Sequence, residues 1–361
     1  MAVMFYPLLS KFFYALLTLF GVVSIVFFLF NVLPGDPAQM MLDQKEDSEQ
    51  MKLVKKKFGF DLPVAKQYFL YLNDLSIISY HSSAKEDFSY FSDKKYTGFK
   101  ILDNSIFSVA IKAPYLRSSY QKRGKKVSSI ILETLPNTIV LAISSILIAI
   151  FLGIIFGVIA TLNKDTWIDR WLQLISTLGM SVPSFFSAII FSWLFGFVLN
   201  RYTQLNMTGS LFEMDDFGEE RHLMFKNLIL PAFVLGIRPL AVIIQLMRGS
   251  LLEILSQDYI RTAKSKGLSR FNVIFKHGIK NALNPVVTAV SGWFASLLSG
   301  AVFVEYIFGW KGLGKEIVTA LNTLDIPVII GAVLTISTLF IIINILVDLI
   351  YIKLDPQVKL N

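Results

Sequence analysis

Residues Asp258–Pro285 read DYIRTAKSKGLSRFNVIFKHGIKNALNP. The stretch is charged and basic, yet it lies between two long apolar runs in a chain that is 54% hydrophobic. Its pattern predicts two short helices set at an angle. Ser256 or Asp258 caps the first, which turns Tyr259, Ile260 and Ala263 to one side and Arg261, Lys264 and Ser265 to the other. Gly267 suits the left-handed position that ends a helix, with Leu268 beyond it. Ser269 caps the second helix, whose apolar residues are Phe271, Ile274 and Phe275. A basic amphipathic helix lying on anionic lipid is the plainer alternative, but lipid binding needs neither the glycine hinge nor Pro285.

The flanking runs define the class. The 361 residues include 31 Phe, and several uncharged apolar stretches exceed the roughly 18 residues that mark a membrane helix. This predicts an all-α polytopic membrane protein with six spans. The first runs from Phe12 to Leu33 and stops at Pro34-Gly35-Asp36-Pro37, which cannot continue a helix. Its apolar run is too long for a signal-peptide core and has no small-residue cleavage pattern, so it counts as a span. The others are expected near 134–162, opened by Pro136 at a helix start, and near 171–200, 227–247, 281–304 and 326–350. Pro183 either kinks the third or separates an interfacial turn from it. Residues 34–133 form a large polar domain after the first span. Within it, 77–112 is rich in Ser, Lys, Asp and Tyr, shows no clear period, and reads as an insertion. Residues 134–352 form the membrane core and 353–361 a short tail.

Charge orients the spans. Segment 248–280 holds seven Lys/Arg, whereas 201–226 and 305–325 together hold five. By the positive-inside bias 248–280 is cytoplasmic, and with six spans both termini are too. The lysine-rich 34–133 domain then falls outside, as loops longer than about 60 residues escape the bias. The net charge of +8 is spread over loops rather than gathered in a stripe, so no nucleic-acid partner is implied. There is no cysteine, which excludes disulfides and thiolate chemistry.

At the opening stretch the chain resembles the permeases of binding-protein-dependent ABC importers. Ala263-x-x-x-Gly267 followed by a second helix is similar to their EAA loop. D-Y-I-R-T-A-K-x-K-G-L resembles the subfamily importing dipeptides, oligopeptides or nickel. Arg261 and Thr262 stand where Glu and Ala are usual, and Lys280 where a Pro is usual; the subfamily shares such departures and carries its proline later, here Pro285. Further resemblances are L-P-G-D-P (33–37), Phe58-Gly59-Phe60-Asp61 with Pro63 and Gln67-Tyr68, Tyr115 to Ser119, F-G-W-x-G-L-G (308–314), and Asn344 to Pro356. They span residues 1–76 and about 115–357. The resemblance implies the type I importer transmembrane fold in the bacterial inner membrane. It implies a second similar permease, two cytoplasmic ATPases and an external binding protein as partners. It further implies that substrate crosses by alternating access. Asp258, Tyr259, Arg261, Ala263, Lys264, Gly267 and Leu268 are then the residues that couple to an ATPase.

No catalytic or metal constellation accompanies these features, and no cofactor is expected. Gly309 to Lys315 has the G-x-x-x-x-G-K spacing of a phosphate loop, but Glu316 stands where Ser or Thr holds magnesium. His81, His222 and His277 lie in separate loops. The chain is expected to be no enzyme by itself. Arg238, mid-way in the fourth span beside Pro239, is either a pore residue for substrate or a snorkelled or helix-paired arginine. Glu305, at the outer end of the fifth span, is the second substrate-path candidate. An ion-coupled secondary transporter would need intramembrane carboxylates or inverted repeats, and neither is visible. A membrane-anchored sensor built on 34–133 would not need six spans or a coupling turn.

Overall fold

The computed structural model describes residues 2–32, 37–40, 48–122, 124–214 and 220–354. Most of L-P-G-D-P, and the end of the closing motif with the tail from Asp355, lie outside the described residues. Two compact units emerge. The larger holds Thr134–Val318 and the residues from Ile336, and the smaller holds Lys11–Glu133 and Thr319–Thr335.

The helices follow the apolar runs but reach beyond them. They are α1 (Ala2–Val32), α2 (Ser48–Phe58), α3 (Val64–Leu75), α4 (Val127–Leu162), α5 (Trp167–Ser181) and α6 (Ser184–Trp193). Next come α7 (Lys226–Leu255), α8 (Asp258–Ser265), α9 (Lys280–Ile307), α10 (Leu313–Asn322) and α11 (Ile326–Leu354). Among the described residues five helical stretches are long and apolar enough to span a membrane, or six if the bent pair α5–α6 is one span. One expectation needs correction. Pro136 does not open the second span: α4 begins at Val127, so the proline lies inside it. The third apolar run is broken at Pro183. Val182 is extended, as a residue before proline prefers, and α5 and α6 meet at 111°.

In the larger unit α7 packs against α5, α6 and α9. Lipid offers no hydrophobic drive between helices, so close packing must hold them. Gly153 and Gly157, four apart on α4, make that possible. A Cβ on the first would lie 2.5 Å from the Ile243 side chain, and on the second 2.6 Å from that of Met247. The core behind this contact includes Ile243, Met247, Leu251 and Val286.

The smaller unit contains an antiparallel sheet of β1 (Ile78–Ser82), β2 (Gly98–Asp103) and β3 (Phe107–Lys112), in the order β1-β3-β2. The 77–112 stretch, read as aperiodic, is thus strand-forming. Its alternation is inverted: Ser79, His81, Ser108 and Lys112 are buried, while Ile78, Tyr80, Phe99 and Ile101 are exposed. Of these buried polar side chains, Ser79, His81 and Lys112 are paired within the fold, whereas Ser108 Oγ has no hydrogen-bond partner among the described residues. His81 bridges Ser79 Oγ (2.7 Å) and the Ser89 carbonyl (2.9 Å), and Lys112 donates to the carbonyls of Asp74 and Ser76. Two three-residue strands in the larger unit, β4 (Phe212–Met214) and β5 (Arg221–Leu223), form a separate hairpin.

Candidate functional site: the turn after α7

The opening stretch forms α8, a sharp turn and a second helical arm. No side chain caps α8. Gln257, rather than Ser256 or Asp258, occupies the capping position, and Asp258 sits in the first turn, where its charge suits the helix dipole. The C-terminal end follows the Schellman pattern. Gly267 takes φ +79°, its N–H donates to the Lys264 carbonyl (3.0 Å), and the Leu268 N–H donates to the Ala263 carbonyl (3.3 Å). Ser269 caps the next arm by accepting from the Asn272 N–H at 3.3 Å.

The two arms close on a small core of Ile260, Ala263 and Val273, with Leu268, Ile254 and Leu255 against it. Tyr259, grouped by spacing with Ile260 and Ala263, is instead 43% exposed, and its hydroxyl accepts from Asn281 (3.1 Å). The second arm departs further. A π turn over Val273–Ile279 rotates the phase of the helix, so Val273 and Ile274 are buried while Phe271 and Phe275 face out. Those two rings stack with centroids 4.3 Å apart. The free surface of the turn therefore combines Arg261, Lys264 and Lys266 with an aromatic pair. Aromatic and arginine side chains of this kind anchor protein interfaces.

A clamp behind the turn was not anticipated. Asp169, on α5, is 1% exposed and accepts from Arg248 Nε (2.6 Å) and Nη2 (2.7 Å), from the Asp165 N–H and from Gln173. This bidentate pair fastens the last turns of α7, from which α8 hangs, to the start of α5. Spacing could not reveal it, because the partners are 79 positions apart.

Arg238 is exposed on α7, with Gln245 and Gly249 on the same side. On α9, Asn284, Thr288, Gly292, Ser296 and Ser299 repeat at helical spacing and are exposed too. The exposed side of α4 is different in kind: Ile143, Leu147, Phe151 and Ile155. A face turned to acyl chains is apolar, so the α7 and α9 stripes suit water or a protein partner instead.

Glu305 is not on such a surface. It is fully buried, and one carboxylate oxygen accepts from the backbone N–H groups of Gly314 (2.7 Å) and Lys315 (3.1 Å). Its expected place on a substrate path gives way to that of an anchor for the start of α10. A Cβ on Gly312 or Gly314 would collide with it. The same contacts dispose of the phosphate-loop spacing, because two amides that would cradle a phosphate are already bonded to a carboxylate. Trp310 completes the turn, buried with its indole N–H donating to the Asn137 carbonyl (3.0 Å).

Comparison with known proteins identifies the family of the chain. The family described as "Binding-protein-dependent transport system inner membrane component" matches residues 149–360, and its N-terminal companion matches 4–92. The chain is 31% identical over 354 residues to the dipeptide transport system permease protein DppB of Alkalihalophilus pseudofirmus, covering 94% of this chain and 95% of that one. It is 30% identical over 355 residues to the protein of the same name from Bacillus subtilis, covering 98% of each. With its apolar helices and its charged turn between α7 and α9, this chain belongs to the family of inner membrane components of binding-protein-dependent transport systems, as a multi-pass permease subunit of an ABC importer.

Proposed function

We propose that the chain forms half of the path by which short peptides, di- or oligopeptides, enter the cell. The observation that carries this reading is the turn of α8, a rigid docking knob with an exposed basic and aromatic surface, held to the membrane helices by Asp169 and Arg248. It docks on a cytoplasmic ATPase, so α8 and both termini lie inside and residues 34–133 outside. The polar stripes of α7 and α9 face a second, similar permease and line the path, with Arg238 placed to meet a peptide carboxylate. An external binding protein delivers the substrate. Two ATPases close on ATP, draw the coupling turns together and alternate access across the membrane. The peptide substrate is supported by the names of the relatives, and the chain contributes no ATPase of its own.

The test is purification of the tagged chain from its native membrane, followed by uptake in vesicles. The expected result is co-purification of an ATP-binding subunit and ATP-dependent uptake of a labelled dipeptide that unlabelled peptides compete away. Peptide uptake driven by an ion gradient alone, with no ATPase attached, overturns the reading.

A further inference from the structure

The smaller unit holds a cavity of about 880 Å³, the size of a small-molecule site. Lysine and arginine outnumber carboxylates on its wall five to two, and Phe58, Tyr115 and Tyr120 supply aromatic surface. No wall residue comes from α1, α4 or α11, the membrane helices that reach into this unit.

Arg117 is the unusual member of that wall. It is a non-glycine residue at φ +64°, a conformation that persists only where the surroundings enforce it. Here the Val127 N–H bonds to its carbonyl at 3.0 Å and a bridge joins Ser118 to Lys126. The guanidinium lies over the rings of Tyr71 (4.8 Å) and Phe88 (5.2 Å), and its Nε donates to the buried Asp74 at 2.8 Å. The other Asp74 oxygen is taken by the Tyr96 hydroxyl at 2.8 Å. Arg117 Nη2 is buried with no hydrogen-bond partner among the described residues. Lys95, also on the wall, reaches only the Phe88 carbonyl (2.7 Å) by hydrogen bond, and burial holds its amine down to about 8. One buried carboxylate, Asp74, thus serves Arg117 with Lys95 and Lys112 close enough to feel it, and Asp87 on the wall acts on Lys95 as well, so three cations face two carboxylates. The cluster is short of negative charge.

We propose that this cavity binds a short peptide by its C-terminal carboxylate, between Arg117 and Lys95, with the aromatic wall taking an apolar side chain. This rests on the peptide reading above and adds a binding step on the permease itself, separate from the membrane path. A carboxylate supplies the acceptor that Arg117 Nη2 lacks and offsets the burial of a second cation, Lys95.

The experiment is calorimetric titration of the intact chain in nanodiscs with phenylalanyl-alanine and with its C-terminal amide. The free acid is expected to bind at least tenfold more tightly. Lys95→Met, which keeps length and removes a cation that burial disfavours, should weaken the acid about tenfold and leave the amide unchanged, with thermal melting confirming the fold. Equal affinity for acid and amide, or an unchanged Lys95→Met, overturns the proposal. Peptide uptake by the whole assembly without binding to the chain overturns this proposal alone. Acid-selective binding by a chain whose assembly imports no peptide supports the site and overturns the import reading.

Discussion

Gly267 offers a graded test of the coupling turn. Its φ is +79°, and a Cβ added there would meet nothing within 4 Å. Space is therefore no obstacle; only backbone conformation is. For alanine the left-handed region costs about 1–2 kcal/mol, partly offset by a stiffer unfolded chain. Asparagine tolerates that region better, so Gly267→Asn should be nearly neutral. Proline is locked near −65°, far from +79°, and it removes the N–H that donates to the Lys264 carbonyl. It also disfavours the near-helical conformation of Lys266 before it. These losses together exceed roughly 3 kcal/mol, enough to open the turn. The assay is ATP-driven uptake by the reconstituted complex, normalised to the amount of inserted chain. Uptake should stay near wild type for Asn, fall several-fold at most for Ala, and vanish for Pro. Wild-type uptake by the Pro variant would refute the reasoning. So would equal damage by all three, since that would mean the site rejects any side chain rather than any negative φ.

Asp169→Ala leaves Arg248 without its partner, and because the arginine is about a fifth exposed the expected loss is about 2–3 kcal/mol. A thermal double-mutant cycle with Arg248→Met should return a coupling energy above about 1 kcal/mol, and a value near zero would make the clamp ornamental. Glu305→Ala strands the amides of Gly314 and Lys315 and should lower stability by about 2–4 kcal/mol, read as a lower melting temperature in detergent; an unchanged melt contradicts its role as an anchor. Arg238→Gln should reduce uptake without reducing assembled complex, and normal uptake would make the arginine an interfacial anchor. Purified alone, the chain should not be labelled by a photoreactive ATP analogue; labelling that Lys315→Ala abolishes would reverse the assignment of that turn.

The membrane helices were legible because uncharged runs of such length have few other uses. Gly267 and Ser269 were legible because φ above zero and N-capping each favour few residue types. Helix ends were not. Lys126 and Glu133 obscure the true start of α4, and α7 runs on to Leu255 through Arg248 and Glu253, past the expected end at residue 247. Spacing grouped Phe271 and Phe275 with Ile274 as the apolar residues of the second arm, but which of them face out depends on a π turn that the sequence does not announce. The strands escaped for the opposite reason to the helices: their buried side is Ser79, His81, Ser108 and Lys112, so apolar alternation points the wrong way. Glu305 was legible as a carboxylate at the end of a span, but its burial and its role as an acceptor for amides nine and ten residues ahead were not.

The 111° break at Pro183 is local, yet it sets the parity of the whole chain. If α5 and α6 together carry the chain across, the loops on either side of the pair lie on opposite faces, and α8 shares a face with the N-terminus. If the pair turned back to the face it left, every later segment would change sides. The turn of α8 would then stand among delivered solutes, and the turn that Glu305 holds would stand among the nucleotides. A permease reads direction from which of its two ends meets ATP. The exit taken by one bent pair of helices therefore separates an importer from a chain with its machinery inside out.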